Sequence, residues 1–211
     1  MNKILLSTLC LILAPTLACA SGFYSSISLS RGEAKIHDPE FINAIVFGLS
    51  EIDTIYGMGV AFGYDFSSDK LPLRSEIEYH YHGKFEVDDP SNQFEIDYQT
   101  LLVNVKYDFY AKKKFASFLL GGAGGARVKN IYKSNHPLWS GFVRPTNNTK
   151  YNFTWNLGGG FSYKISEQLI VEIAYRYLDV GSAESESEDG QTHITADCSI
   201  EELVTALRFN F

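Results

Sequence analysis

Between Tyr151 and Tyr177 the chain separates into two interleaved lists. Odd positions give Tyr151, Phe153, Trp155, Leu157, Phe161 and Tyr163, then Leu169, Val171, Ile173, Tyr175 and Tyr177. Even positions give Asn152, Thr154, Asn156, Ser162, Lys164, Glu172 and Arg176 among small residues. Successive Cβ atoms of a strand point to opposite faces, so alternation sustained this long specifies strands whose two faces meet different surroundings. Ile165-Ser166-Glu167 interrupts the pattern and makes the two runs a hairpin. A soluble sandwich and a membrane barrel would both satisfy the alternation. The rest of the chain has to separate them.

The N-terminus bears on the compartment. Met1-Asn2-Lys3 is followed by an apolar run over 4–13, then Pro15 and Ala18-Cys19-Ala20, which reads as a secretory signal peptide over 1–20 with the mature chain over 21–211. The apolar run is shorter than the roughly 20 residues a transmembrane helix needs. Thr16-Leu17-Ala18 is a poor match to the segment that precedes a lipid-modified cysteine, so Cys19 is not read as an anchor. Cys10 and Cys19 leave with the leader, and Cys198 alone permits no internal disulfide. A membrane-inserted mature chain would therefore cross as strands, the only other fold that satisfies its backbone in lipid. The formal charge of −7 argues against nucleic acid as a partner, which calls for a basic footprint. With 13 Tyr and 15 Phe, the chain has enough aromatic residues to ring a barrel twice.

Alternation recurs along the chain. Phe23, Ser25, Ile27 and Leu29 oppose Tyr24, Ser26, Ser28 and Ser30. Over 54–66, Tyr56, Met58, Val60, Phe62 and Tyr64 oppose Gly57, Gly59, Ala61 and Gly63; over 71–82, Ile77, Tyr79 and Tyr81 oppose Arg74, Glu76, Glu78, His80 and His82. Residues 95–110 turn Leu101, Val103, Val105 and Tyr107 one way, and Asn104, Lys106 and Asp108 the other. Over 115–128, Phe118, Leu120 and Ala126 are assigned outward and Ser117 and Arg127 inward, although four glycines blur the register. The last run, 201–211, places Leu203, Leu207, Phe209 and Phe211 outward and Glu202 and Arg208 inward. With the hairpin this gives eight strands. Tight turns fall near 67, 111 and 166, and longer connections at about 33–53, 83–94, 129–150 and 178–196. Short turns at one end and long loops at the other are the habit of an even-stranded outer-membrane barrel. A lipocalin-like soluble barrel, the rival, need not alternate so. The expected fold is an all-β, eight-stranded antiparallel transmembrane barrel.

A terminal Leu207-Arg208-Phe209-Asn210-Phe211, with Tyr107-Asp108-Phe109 and the glycine-rich stretches Leu120–Ala126 and Leu157–Tyr163, resembles the OmpA-like, opacity-type outer-membrane β-barrels. The resemblance covers essentially the whole mature chain. It implies that Leu207, Phe209 and Phe211 form a C-terminal insertion signal read by the outer-membrane assembly machinery. It also implies outer-membrane lipid as surroundings, and loops that meet host or environmental surface ligands. No peptidoglycan-binding domain follows the last strand, so that anchoring is not implied.

The inward charges Arg74, Glu76, Glu78, Lys106, Asp108, Arg127, Lys164, Glu172, Arg176, Glu202 and Arg208 could line a pore or fill the lumen as a structural network. Eight strands leave an interior just wide enough for side chains, which favours the network. His80 and His82 could hold a metal with Glu78, but two imidazoles are too few to specify a site and a polar mouth accounts for them. No metal or other cofactor is expected. His136 and Ser140 lie in one loop and His193 in another, and nothing in the sequence brings them together, so no enzyme is expected. Residues 41–50 could form a loop helix or an extra strand. The acidic 178–196 connection reads as a solvated tip, and two N-x-T sequons at Asn147 and Asn152 as coincidences in a bacterial chain. The 129–150 connection differs: Lys129, Lys133 and Arg144 surround Trp139 and Phe142, the best local pattern for gripping a ligand. The function expected is that of a surface protein whose barrel anchors exposed loops for adhesion; the alternative is a structural or small-solute-passing, porin-like barrel.

Overall fold

The computed structural model describes residues 22–42, 53–89, 92–134, 146–186 and 193–211. The signal peptide and residues 43–52 therefore lie outside the described residues, and with them most of the 41–50 question. Eight strands run in chain order: β1 (Phe23–Ile42), β2 (Asp53–Asp65), β3 (Leu73–Asp89), β4 (Asn92–Lys112), β5 (Phe115–Ser134), β6 (Thr146–Lys164), β7 (Leu169–Glu186) and β8 (His193–Asn210). Each pairs antiparallel with its neighbour, and β1 pairs with β8, so the sheet closes into a barrel without edges.

The turns at one end are tight for local reasons. Between β2 and β3 a 3-10 turn over Phe66–Asp69 is capped by Asp65, whose side chain accepts from the Ser67 N–H at 2.9 Å, and it closes with Lys70 in the left-handed region. Lys113, at φ 55°, makes the β4–β5 turn within the expected span of 111–114, with β4 pairing on to Lys112. After β6, the Ser166 hydroxyl accepts from the Leu169 N–H at 3.0 Å.

At the other end the strands run much further than alternation indicated. β1 continues to Ile42 and β8 begins at His193, and each expected loop is entered by strand from both sides. What remains between strands is 43–52, 90–91, 135–145 and 187–192. The physical reason is solvent. Beyond the lipid, the outer face of a strand meets water, so the contrast between the two faces fades while the backbone ladder continues. The 21-residue β4, at ~3.3 Å per residue and a tilt of ~40°, rises about 50 Å, roughly twice the ~25 Å apolar band of such barrels.

The outer surface is banded. Near the tight turns it carries Phe62, Tyr107, Phe109, Phe115, Phe161, Tyr163, Phe209 and Phe211; towards the loops it carries Tyr56, Tyr79, Tyr151, Phe153, Trp155 and Tyr175. Between them lie Ile27, Leu29, Met58, Val60, Ile77, Leu101, Val103, Val105, Leu157, Ile173 and Leu203, all exposed. Large exposed apolar surface of this extent on a monomer marks a lipid-facing band between two aromatic girdles.

One strand was read inside out. On β5, Phe118, Leu120 and Ala126 are buried in the lumen, whereas Leu119 and Arg127 face outward. The glycines at 121, 122, 124 and 125 carry no face signal, and apolar residues were assumed to seek lipid. Phe118 stays inside because cations cover it: the Arg74 guanidinium lies 5.0 Å and the Lys106 ammonium 5.5 Å from its ring centre.

Candidate functional site: a filled lumen and a basic outer face

The lumen is built from the inward positions of successive strands. On β3 these are Arg74, Glu76, Glu78, His80 and His82, all buried, facing Tyr24 from β1, Asn104 and Lys106 from β4, Glu172 and Arg176 from β7, and Glu202 and Arg208 from β8. Nearer the tight turns, Arg74 clasps Asp108 with two hydrogen bonds of 2.8 and 2.7 Å and donates to Glu172 at 2.5 Å. Lys106 lies 3.0 Å from both Glu76 and Glu172, and the Tyr24 hydroxyl donates to Glu76 at 2.9 Å. Arg208 stacks over the Tyr24 ring at 5.1 Å and reaches Glu172 at 3.5 Å.

Further along the axis Arg176 joins two strands. It donates to both oxygens of Glu78, at 2.8 and 2.9 Å, and to Glu202 at 2.7 Å. Asn104 donates to Glu78 at 2.7 Å and accepts from Asn156 at 2.9 Å. Such buried charges persist only when paired; each of these has an opposite charge within 4 Å, while Arg208 Nε and Nη1 and Glu202 Oε2 lack a hydrogen bond. Between the two groups of ion pairs lies a cavity of about 30 Å³ touching Glu76, Glu78, Lys106, Glu172 and Arg176, space on the scale of a single water.

The network thus holds nine of the eleven expected charges. Arg127 is outside it, exposed on the outward face of β5. Lys164, expected inward, sits at the rim and pairs with Glu167 in the β6–β7 turn at 2.5 Å, because it ends its strand there and the turn carboxylate is nearer than any in the lumen. Sequence reasoning missed Tyr24 and Asn156 as members, although both stand on polar faces of their alternating runs.

It also missed an apolar seal. Ile55, Tyr98, Leu102, Val128, Leu178, Val180, Cys198 and Ile200 form one buried cluster inside the barrel, most of it on the loop side of the ion pairs. Leu178, Val180 and Ile200 were legible at even positions, the lumen face of β7 and β8. His80 and His82 do not line an open mouth; both are fully buried.

Of the expected ligand-contacting residues, Lys129 is half-buried near the end of the described side chains of β5, and Lys133 stands further along that strand, in register with Gln93. Trp139, Phe142 and Arg144 lie outside the described residues, as do His136 and Ser140. Arg127 and Lys129 are two apart, hence on one face, and Tyr151 beside Arg127 is strongly exposed. Arg127 reaches Gln99 only at 3.5 Å. Leu207, Phe209 and Phe211 are exposed on the lipid face near the tight turns.

A closed antiparallel barrel with a lipid-facing apolar band, two aromatic girdles and a filled polar interior is a transmembrane β-barrel of the outer-membrane class. The sequence matches the profile of the outer membrane protein beta-barrel domain over residues 4–199, and the chain belongs to that family; it is a protein of the bacterial outer membrane. The outer membrane protein PagN of Salmonella typhimurium is 28% identical over 140 residues, 60% of this chain and 58% of PagN, so the match spans less than two thirds of that relative's length. Among solved structures, Neisserial surface protein A superposes with a TM-score of 0.59 at 16% identity, covering 90% of this chain and 98% of its own. The attachment invasion locus protein Ail of Yersinia pestis gives 0.52 at 11% identity, over 91% of this chain and all of its own. These likenesses show the fold.

Proposed function

We propose that the barrel is an anchor and that the protein acts outside it, as a surface interaction protein whose basic face and 135–145 connection contact a negatively charged ligand on a host or environmental surface. The observation that carries this reading is the closed lumen. Ion pairs and an apolar cluster fill the interior, which leaves the strand extensions and their connections as the surface that can meet a partner. The stretch 129–150 contains Lys129, Lys133, Arg144 and Lys150 and no Asp or Glu, in a chain whose net charge is −7. Arg127, on the outer face, adds to that charge. Residues 1–20 as a removed leader, and insertion through the assembly machinery by way of Leu207, Phe209 and Phe211, belong to the same proposal.

The test uses folded protein in detergent, with dextran sulfate as polyanion and uncharged dextran as control. Binding to the sulfated polymer alone is expected, weakened several-fold by Arg127→Glu with Lys129→Glu and further by replacing 136–144 with a Gly-Ser linker. Equal binding by all variants would overturn the reading. So would ionic conductance in planar bilayers that changes with Glu78→Gln, the result expected of a solute-passing barrel.

A further inference from the structure

Where the ion pairs meet the apolar cluster, three side chains from two strands converge. His80 and His82 are two apart on β3 and share its lumen face, and Glu202 comes from β8. One ligating atom from each lies within 4.8 Å of the others, and all three side chains are buried. We propose that His80, His82 and Glu202 bind a divalent transition-metal ion of the zinc type inside the lumen, tying β3 to β8.

Geometry is the first support. His82 Nε2 and Glu202 Oε1 are 3.4 Å apart. A charge-assisted N–H···O⁻ bond would be about 2.7–2.9 Å, whereas two ligands of a tetrahedral ion with bonds of ~2.0–2.1 Å stand about 3.3–3.4 Å apart. The pair is spaced for an ion between them. The second support is unmet polarity: Glu202 Oε2, deeply buried, has no hydrogen-bond partner, so the carboxylate has an oxygen to offer an ion. Buried polar atoms are nearly always paired, with protein, water or an ion.

The surroundings fit as well. His80 Nδ1 lies 3.2 Å from Glu78 Oε1, the carboxylate–imidazole contact that orients a metal-binding ring and leaves its other nitrogen free to ligate. Ser30 Oγ, 2.9 Å from His80 Nε2, has to swing aside by a χ1 rotation for the ion to bind there, and Arg176 Nη2 stands 3.4 Å from His80 Nδ1. On β2, Gly57 and Gly59 give the ring its room, since a Cβ on either would come within 2.6 and 2.5 Å of the His80 ring nitrogens. Charge favours a cation: Glu78 and Glu202 face the single guanidinium of Arg176, and Glu202 Oε1, which accepts from Arg176 at 2.7 Å, keeps a second lone pair for the ion. Two imidazoles with one carboxylate select a zinc-like ion over calcium or magnesium, which take oxygen donors. Beneath the apolar cluster the ion would enter as the barrel closes and leave slowly.

The experiment folds the mature barrel in detergent with Co²⁺ or Zn²⁺, removes free metal by gel filtration, and measures bound metal and the visible spectrum of the Co²⁺ form. A single retained ion per chain with the intense absorption of four-coordinate Co²⁺, displaced by Zn²⁺, is expected. His82→Gln and Glu202→Gln should lose it. Because a lumen variant can fail to fold, the decisive control is His37→Gln with His136→Gln and His193→Gln, which removes every other histidine and none of the three proposed ligands. Retention of the ion by that variant supports the site. Loss of the ion there, absence of retained metal in the native protein, or full retention by folded His82→Gln would overturn it.

Discussion

Arg176→Met distinguishes a dry, paired lumen from a wet one. The guanidinium serves two buried carboxylates, so its removal leaves both without their cation. The two do not suffer equally. Glu78 keeps Asn104 at 2.7 Å and His80 at 3.2 Å, whereas Glu202 keeps only His82 at 3.4 Å. Removing one partner of a buried pair costs about 3–5 kcal/mol, and with one carboxylate left almost bare the loss should fall in the upper half of that range. That is roughly a 10³-fold shift of the folding equilibrium. Arg176→Met with Glu202→Gln should recover about 2 kcal/mol, because a neutral amide costs far less to bury than an unpaired carboxylate. Urea titration in phospholipid vesicles, read by the gel shift between folded and boiled protein, measures both. A loss below about 1 kcal/mol, the range of exposed ion pairs, would mean that water reaches these carboxylates and that the closed-lumen reading is wrong.

Two further expectations use the same titration and a simple labelling assay. A Cβ on Gly124 would overlap the Leu101 carbonyl oxygen, while one on neighbouring Gly125 meets nothing nearer than 3.8 Å; Gly124→Ala should therefore cost about 1–3 kcal/mol and Gly125→Ala little, and equal effects would contradict the β5 register. Cys198 is buried in the apolar cluster with Tyr98 and Ile200, so maleimide should label it only in unfolded protein, and rapid labelling of the folded barrel would show that the seal opens.

The barrel was legible because lipid imposes the sharpest contrast a strand can carry. Over 151–163 and 169–177 every outward position but Gly159 carries a large apolar or aromatic residue, since outward residues there meet hydrocarbon or a girdle. Legibility failed where that contrast was missing, in three ways. Above the membrane the outer strand face leaves lipid, so β1 beyond Arg31 and β8 before Glu201 carry no clear alternation although their ladders continue. On β5 the glycines removed the signal altogether, and the rule that apolar means outward then inverted Phe118 and Arg127. On β7 the signal is present in the sequence: Leu178 and Val180 continue the even positions of Glu172 and Arg176, the pattern of a lumen that turns from polar to apolar towards the loops.

That last pattern ties fold to function. A barrel that conducts has to keep water along its whole axis, and a ring of Leu178, Val180, Ile200 and Leu102 is where water is least stable. A barrel that only anchors gains from the same ring, because strands extended about 25 Å past the lipid need a core of their own to stay upright. Buried apolar residues inside the extension supply that core as they would in a water-soluble barrel. The extension in turn carries Lys129 and Lys133 of β5 away from the bilayer surface. Filling the lumen and extending the strands are then one structural solution, and it suits the proposed role of a surface interaction protein.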